Sequence, residues 1–272
     1  EFGNRPHPVV LATAAMLGVT EVYNIGGPAA VAAFAYGVPE IPLERVSMVT
    51  GPGNIFVAAA KRALRGVIGI DSEAGTTEIL IVADESADAR LIAFDLVSQA
   101  EHDEAAACVL VTADEGLVQS VLAQIEVVAA ETENSARVEA ALNGIQSALV
   151  LVDSADAALE FANFYATEHL ELHTFDPAKD AAKVSNAGAL FLGRYSPVSL
   201  GDYLAGSNHV LPTGEQSKFG SGLGVHTFLR AQQLIEYDEA ALRAVAEPAT
   251  EFSNSERLPA HGEAIAARFD NE

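Results

Sequence analysis

Residues 87–114, ADARLIAFDLVSQAEHDEAAACVLVTAD, decide the fold. Leu91, Phe94, Leu96 and Val97 read as the apolar face of a helix. The run ACVLV that follows reads as a short buried strand. A helix passed to a strand through a few polar residues is the unit of a parallel α/β sheet. Gln99 and His102, in SQAEHD, lie three apart, so on a helix they share one face. An apolar-faced helix that ends by aiming an amide and an imidazole the same way needs a reason.

The alternation continues in both directions. Upstream, PHPVVLATAAMLGV reads as a helix with Pro at its start and Gly18 near its end. TEVYNIGG reads as a strand running into glycines, and PAAVAAFAYG as a short helix. RVSMVTGPGN is strand then turn, NIFVAAAKRAL a helix capped by Asn54, and TEILIVAD a buried strand. Downstream come the helix EGLVQSVLAQIEVVAAE, the strand SALVLVD, the helix SADAALEFANFYATEH and the strands LELHTF and GALFLG. From about Pro197, YSPVSLGDYLAGSNHVLPTGEQSKFGSGLG is rich in Gly, Ser and Pro. It reads as a long ordered loop with a functional use. The last stretch, DEAALRAVAEPATEFSNSERLPAHGEAIAARF, reads as two helices with a break at Pro248 to Asn254. The expected class is α/β: two Rossmann-like parallel-sheet domains, residues 1–78 and 79–220, and a mainly helical tail, residues 221–272.

Size and charge limit the function. The chain has 272 residues, half of them hydrophobic and 19% charged, which suits globular domains with real cores. Its apolar runs stay below the ~20 residues that span a bilayer, and EFGNRPHP lacks the basic and apolar regions of a signal peptide. The net charge of −23 argues against nucleic acid and against anionic membranes. The single cysteine, Cys108, reads as an inert core thiol. A reducing cytosol, and hence a cytoplasmic protein, fits.

Two glycine turns, NIGGP and TGPGN, each follow a strand and precede a helix, where anions and dinucleotide phosphates bind. Neither matches G-x-G-x-x-G, and each reads equally as ordinary turn chemistry. The histidines carry more. His102 follows Gln99, and His169 follows Glu168 at a helix-to-strand junction. His209 sits in GSNHVLPT after Asp202, and His261 opens the last helix, five residues after Glu256. His7, His173 and His226 have weaker contexts. Singly, each reads as a capped surface residue or a satisfied core residue. Together, Gln99, His102, Asp202 and His261 supply the mixed nitrogen and oxygen donors that suit zinc or a similar divalent ion. Glu168 and His169 fit an acid/base pair, and equally a histidine resting on a helix C-terminus.

Read in order, GPGNIFVAAAKRAL, IDSEAGTTEILIVAD, SQAEHD, TEHLEL, GDYLAGSNHVLPT and ERLPAHGEA resemble the histidinol dehydrogenases. The blocks cover essentially the whole chain. The resemblance implies an NAD-dependent, zinc-containing enzyme that oxidises L-histidinol through histidinal to L-histidine. Carried over by motif, Gln99, His102, Asp202 and His261 are the zinc ligands, and Glu168 and His169 the general bases. Asn54 contacts NAD, and Thr77, His209 and Glu256 line the substrate pocket with the zinc ligands and His169. Residues 1–78 are then the NAD-side domain, and the tail exchanges between two chains, so that His261 completes the zinc site of a homodimer partner. Departures accompany the match. The chain is shortened at its N-terminus and lacks a tyrosine that touches NAD in the family. Thr76 replaces a usual Pro, Thr77 a common Ser, and Ala29 a Gln that contacts the cofactor. Two other readings stay open: a dimerising zinc-binding fragment without turnover, and a zinc hydrolase in which Glu168 activates water.

Overall fold

A computed structural model describes residues 5–269. The first four residues of EFGNRPHP, read above for a signal sequence, lie outside the described residues. The chain divides into two compact units, Glu1–Phe228 and Leu229–Glu272.

The larger unit opens with helices α1 (Pro8–Met16) and α2 (Gly27–Tyr36). Strands β1 (Met48–Val49) and β2 (Gly69–Ile70) pair in parallel, linked through helix α3 (Ile55–Leu64). Asn54 caps α3, its Oδ1 accepting from the amides of Phe56 and Val57 at 3.1 and 3.2 Å. Then come β3 (Glu78–Ala83), α4 (Ala89–Ala100), β4 (Ala107–Thr112), α5 (Glu115–Glu131), α6 (Ser135–Leu142) and β5 (Ala148–Leu151). Helix α7 (Ala155–Tyr165), β6 (His169–His173), α8 (Pro177–Ala181), β7 (Ala189–Leu192) and α9 (Val198–Tyr203) complete the series. The five later strands pair in parallel in the order β5-β4-β3-β6-β7. With β3 taken as first, this is the 3-2-1-4-5 order of a doubly wound sheet.

The strand sequences explain the layering. Ile79 and Ile81 of β3 and Cys108 and Leu110 of β4 face one way, under Ile92, Leu96 and Val97 of α4 and Val121 of α5. Leu80, Val82, Val109 and Val111 face the other way, with Ala158, Leu159 and Ala162 of α7. Asp88, Asp114 and Ser154 cap α4, α5 and α7 through their side chains, so each crossover helix starts on a residue chosen for that turn. Cys108 is buried, and burial pushes its thiol up to about 12, as an inert core position requires.

Several expectations need correction. TEVYNIGG is not a strand: residues 20–26 carry no strand pairing, and Val22 and Ile25 remain exposed. Without a neighbouring ladder, an apolar run has nothing to fix it as β structure. The parallel sheet of the first region is the two-residue pair β1–β2 alone among the described residues. The stretch after Pro197 holds α9 and two 3-10 turns, Gln216–Lys218 and Val225–Phe228. Helices α6 and α8 were not expected. In the smaller unit, helix α10 (Glu239–Ser255) runs through Pro248 instead of breaking there. The break comes at Glu256–Leu258, where Arg257 adopts a φ of 60°, before α11 (Pro259–Ala266). A proline removes one amide from a helix, but a left-handed residue ends it. No described helix is long and apolar enough to cross a membrane.

Candidate active site

The site lies at the amino edge of the larger sheet, not at the carboxyl edge where open α/β sheets usually bind ligands. Strands β3 and β6 are neighbours, with Ile79 opposite His169. Thr77 therefore sits just before β3 beside Glu168, just before β6. Helix α4 crosses from the end of β3 to the start of β4, so its last turn also returns to this edge and delivers Gln99. The helix ends at Ala100, and His102 follows in the turn after it, its amide bonded to the Gln99 carbonyl at 3.2 Å. The two are thus joined by a turn rather than by one helical face.

A hydrogen-bond chain links these elements. The Gln99 amide nitrogen donates to Thr77 Oγ1. The Thr77 hydroxyl donates to Glu168 Oε2 at 2.6 Å, and the Glu78 amide donates to the same oxygen at 3.0 Å. Because Gln99 uses its nitrogen on Thr77, its amide oxygen is the atom left to bind a ligand. His169 Nδ1 lies 3.0 Å from the Glu78 carbonyl, so Nδ1 carries the proton and Nε2 is the basic nitrogen. His102 Nε2 stands 3.5 Å from Asp202 Oδ2, which α9 supplies.

Burial sets the electrostatics. Glu168 and His169 are both buried. Desolvation, outweighing the Thr77 and Glu78 hydrogen bonds, pushes the Glu168 carboxyl up to about 8. Desolvation also moves His169 below its ordinary value, so it is a neutral base near pH 7. Two adjacent groups with displaced pKa values in a cleft are what acid/base chemistry needs.

The cavity beside them holds about 660 Å³. Thr77, His102, Glu168, His169 and Asp202 line it, with Asn54 and His209 at its rim-exposed positions. Asn54 comes in on the GPGN turn, which a buried ion pair holds. Asp71 Oδ2 accepts the Gly51 amide at 2.7 Å, Lys61 Nζ sits 2.6 Å from Asp71 Oδ1, and Lys61 also donates to the Gly51 carbonyl. Since the Asn54 oxygen is spent on the helix cap, only its amide nitrogen is left for a ligand. A larger groove of about 960 Å³, lined by Arg45, Arg65 and Asp71 among others, holds none of the candidate residues. Chemistry, not volume, therefore selects the site.

Glu256, at the end of α10, and His261, on α11, belong to the smaller unit. Gln99, His102 and Asp202 are the three proposed donors of the larger unit. An amide oxygen, an imidazole and a carboxylate suit a borderline divalent ion and leave a position for a further ligand. Ala29 is exposed on α2 and offers only a methyl group.

Sequence reading missed a second cluster. Asp95, Glu171 and His173 are all buried and offer ligand-type atoms within 4.8 Å of one another. The signal was present in HLELH, whose odd positions are all polar, but an alternating strand reads as one with a wet face.

A model of the histidinol dehydrogenase family matches residues 1–269. Histidinol dehydrogenase of Leifsonia xyli subsp. xyli is 58% identical over 270 residues, 99% of this chain and 62% of that protein. The Corynebacterium glutamicum enzyme of the same name is 55% identical over 271 residues, all of this chain and 61% of that one. The crystal structure of histidinol dehydrogenase from Elizabethkingia anophelis matches with a TM-score of 0.89 at 32% identity, over 97% of this chain and 60% of that one. The chain thus spans 60–62% of the length of these relatives. It belongs to the histidinol dehydrogenase family.

Proposed function

We propose that this chain carries the acid/base and metal-binding part of an L-histidinol dehydrogenase. The reaction is the NAD-dependent, four-electron oxidation of L-histidinol through histidinal to L-histidine, the last step of histidine biosynthesis. One alcohol, one water and two NAD⁺ give one carboxylate, two NADH and three protons. The observation that carries this reading is the Glu168–His169 pair, one group raised and its neighbour lowered, set beside His102 and Asp202 in one cavity.

Gln99, His102 and Asp202, with His261, hold a zinc-class ion. Such an ion has no redox role and supplies a fixed docking point for the imidazole and amine of the substrate. His169 Nε2 takes the hydroxyl proton of the carbinol, and bound NAD would supply the hydride acceptor. Its Nδ1 bond to the Glu78 carbonyl keeps the tautomer that this step needs. Glu168, in its ionised form, takes a proton from the water that attacks the aldehyde, and a second hydride transfer yields the acid. Thr77 steadies that carboxylate with its hydroxyl proton while holding the Gln99 amide in the ligating orientation.

Asn54, on the clamped GPGN turn, contacts NAD. Thr77, His209 and Glu256 contact substrate with the metal ligands and His169. Residues 1–78 serve the cofactor, 79–220 carry the chemistry, and 221–272 exchange between the chains of a cytoplasmic homodimer, delivering His261 to the partner. Nucleic acid and membranes are not partners of so acidic a chain. The test is NADH appearance with histidinol and excess NAD, with histidine quantified alongside. Two NADH per histidine, lost on chelation and restored by zinc, supports the reading. Chelator-sensitive ester or amide hydrolysis without NADH would replace it with the zinc hydrolase.

A further inference from the structure

Strand β6 carries a polar row of which the chemistry above uses only His169. Leu170 and Leu172 pack into one apolar layer. His169, Glu171 and His173 alternate with them and point to the opposite layer, under α4, where Leu96 and Val97 pack. Glu171 is wholly buried, and His173 and Asp95 nearly so. Two carboxylates and an imidazole in an apolar layer are expensive unless their partners are worth the cost.

Those partners span three elements. Glu171 Oε2 lies 3.2 Å from His173 Nε2, which lies 3.9 Å from Asp95 Oδ2 on α4. Glu171 Oε1 accepts the Val198 amide at 2.6 Å. Val198 is the first residue of α9, and Asp202 follows four residues later, about one helical turn on. Asp95 likewise precedes Gln99 by four residues on α4. Each arm of the cluster therefore ends one turn from a proposed metal ligand. Burial, and then the neighbouring Glu171, raise the Asp95 carboxyl to about 7. The short Val198–Glu171 bond is the directional tether of this short helix.

We infer that Glu171 is a positioning residue for the metal-ligand set, holding α9 by the Val198 amide and α4 through His173 and Asp95, so that Asp202 meets Gln99 and His102. This inference rests on the metal reading proposed above. Packing of Val198 sets how deep α9 lies, and the Glu171 bond sets its direction and register.

The test compares Glu171→Leu, which removes the acceptor, with Glu171→Gln, which keeps an acceptor oxygen. Zinc affinity is read by competition with a chelating indicator, and hydrogen exchange is read over residues 198–203. Glu171→Leu should weaken zinc about 10–100-fold, the usual scale for an outer-shell partner, and speed exchange in α9. Glu171→Gln should restore both. In an Asp202→Ala background, Glu171→Leu should cost less than in the parent, because the α9 arm acts through Asp202 and only the α4 arm remains. If Glu171→Leu fails to fold, Val198→Pro deletes the donor, with Val198→Ala, which keeps the amide, as the control for lost packing. Proline suits the first position of a helix, and Pro197 is already extended, with ψ of 150°. A zinc-binding parent whose Glu171→Leu form keeps full affinity overturns the inference alone. So does an equal loss with and without Asp202, or a second ion per chain lost with Glu171, which would make the cluster a metal site. A parent that binds no zinc overturns the metal reading and the inference together.

Discussion

Lys61→Met tests how the GPGN turn is held. Lys61 and Asp71 are an ion pair at 2.6 Å, with side chains only 3% and 2% exposed. Between them they satisfy both backbone polar groups of Gly51. Gly51 has a φ of 123°, so the turn cannot be rebuilt with an ordinary residue. Removing Lys61 leaves a buried carboxylate with one remaining donor and strands a carbonyl. Breaking a buried pair from one side costs about 3–5 kcal/mol. That is a large share of the roughly 5–15 kcal/mol that holds a domain together. With urea slopes of about 1–3 kcal/mol/M, the midpoint should fall by more than about 1 M. The chain has no tryptophan, so circular dichroism is the probe. Hydrogen exchange over residues 50–56 should quicken and place the loss at the turn. Lys61→Met with Asp71→Leu should recover much of the midpoint, because no lone charge remains, while the turn stays fast-exchanging. A midpoint shift below about 0.3 M for Lys61→Met, or a double variant no better than the single, would refute the reasoning.

Three further outcomes follow from the site. Thr77→Val should cost about 1–3 kcal/mol by stranding the Gln99 amide, and should raise Glu168 further; Thr77→Ser should restore both, read by denaturation and by the pH profile of turnover. Glu168 holds its proton up to about 8 when folded but ionises in the acid range when unfolded, so its contribution to stability is present at low pH and is lost as pH rises to about 8. Glu168→Gln should therefore show a shallower fall in urea midpoint between acid and alkaline buffers than the parent, and an unchanged slope would count against the buried proton. Asp202→Ala and His261→Ala chains, allowed to exchange, should recover roughly a quarter of the parental zinc sites, because in the proposed dimer roughly half the pairs are mixed and each holds one intact site; no recovery after proven exchange means that His261 acts in its own chain or does not bind metal.

The sheet could be read from sequence because its strands are apolar runs closed by capped helices, as in TEILIVAD and ACVLVTAD. Helix α3 was legible for the same reason, Asn54 being a strong cap. The run TEVYNIGG misled because strand identity lies in a partner, not in the run itself. Pro248 misled because one lost hydrogen bond does not outweigh a long helix. Among the candidate site residues, Glu168, His169, Gln99 and His102 stood out as polar groups breaking apolar patterns. The Gln99–Thr77–Glu168 relay was not legible, since it depends on β3 lying beside β6. Glu171 was hidden for a related reason: alternation shows that two faces differ, not that both are buried. Pairing and burial are long-range facts, and local sequence carries them only weakly.

The most direct measurement is calorimetric titration of histidinol into the chain, with and without zinc. It needs neither turnover nor NAD, so it addresses the residues this chain itself supplies. The zinc-loaded chain should show tight, saturable binding, lost on chelation and in His102→Ala. Equal binding before and after zinc removal, or in His102→Ala, would contradict this.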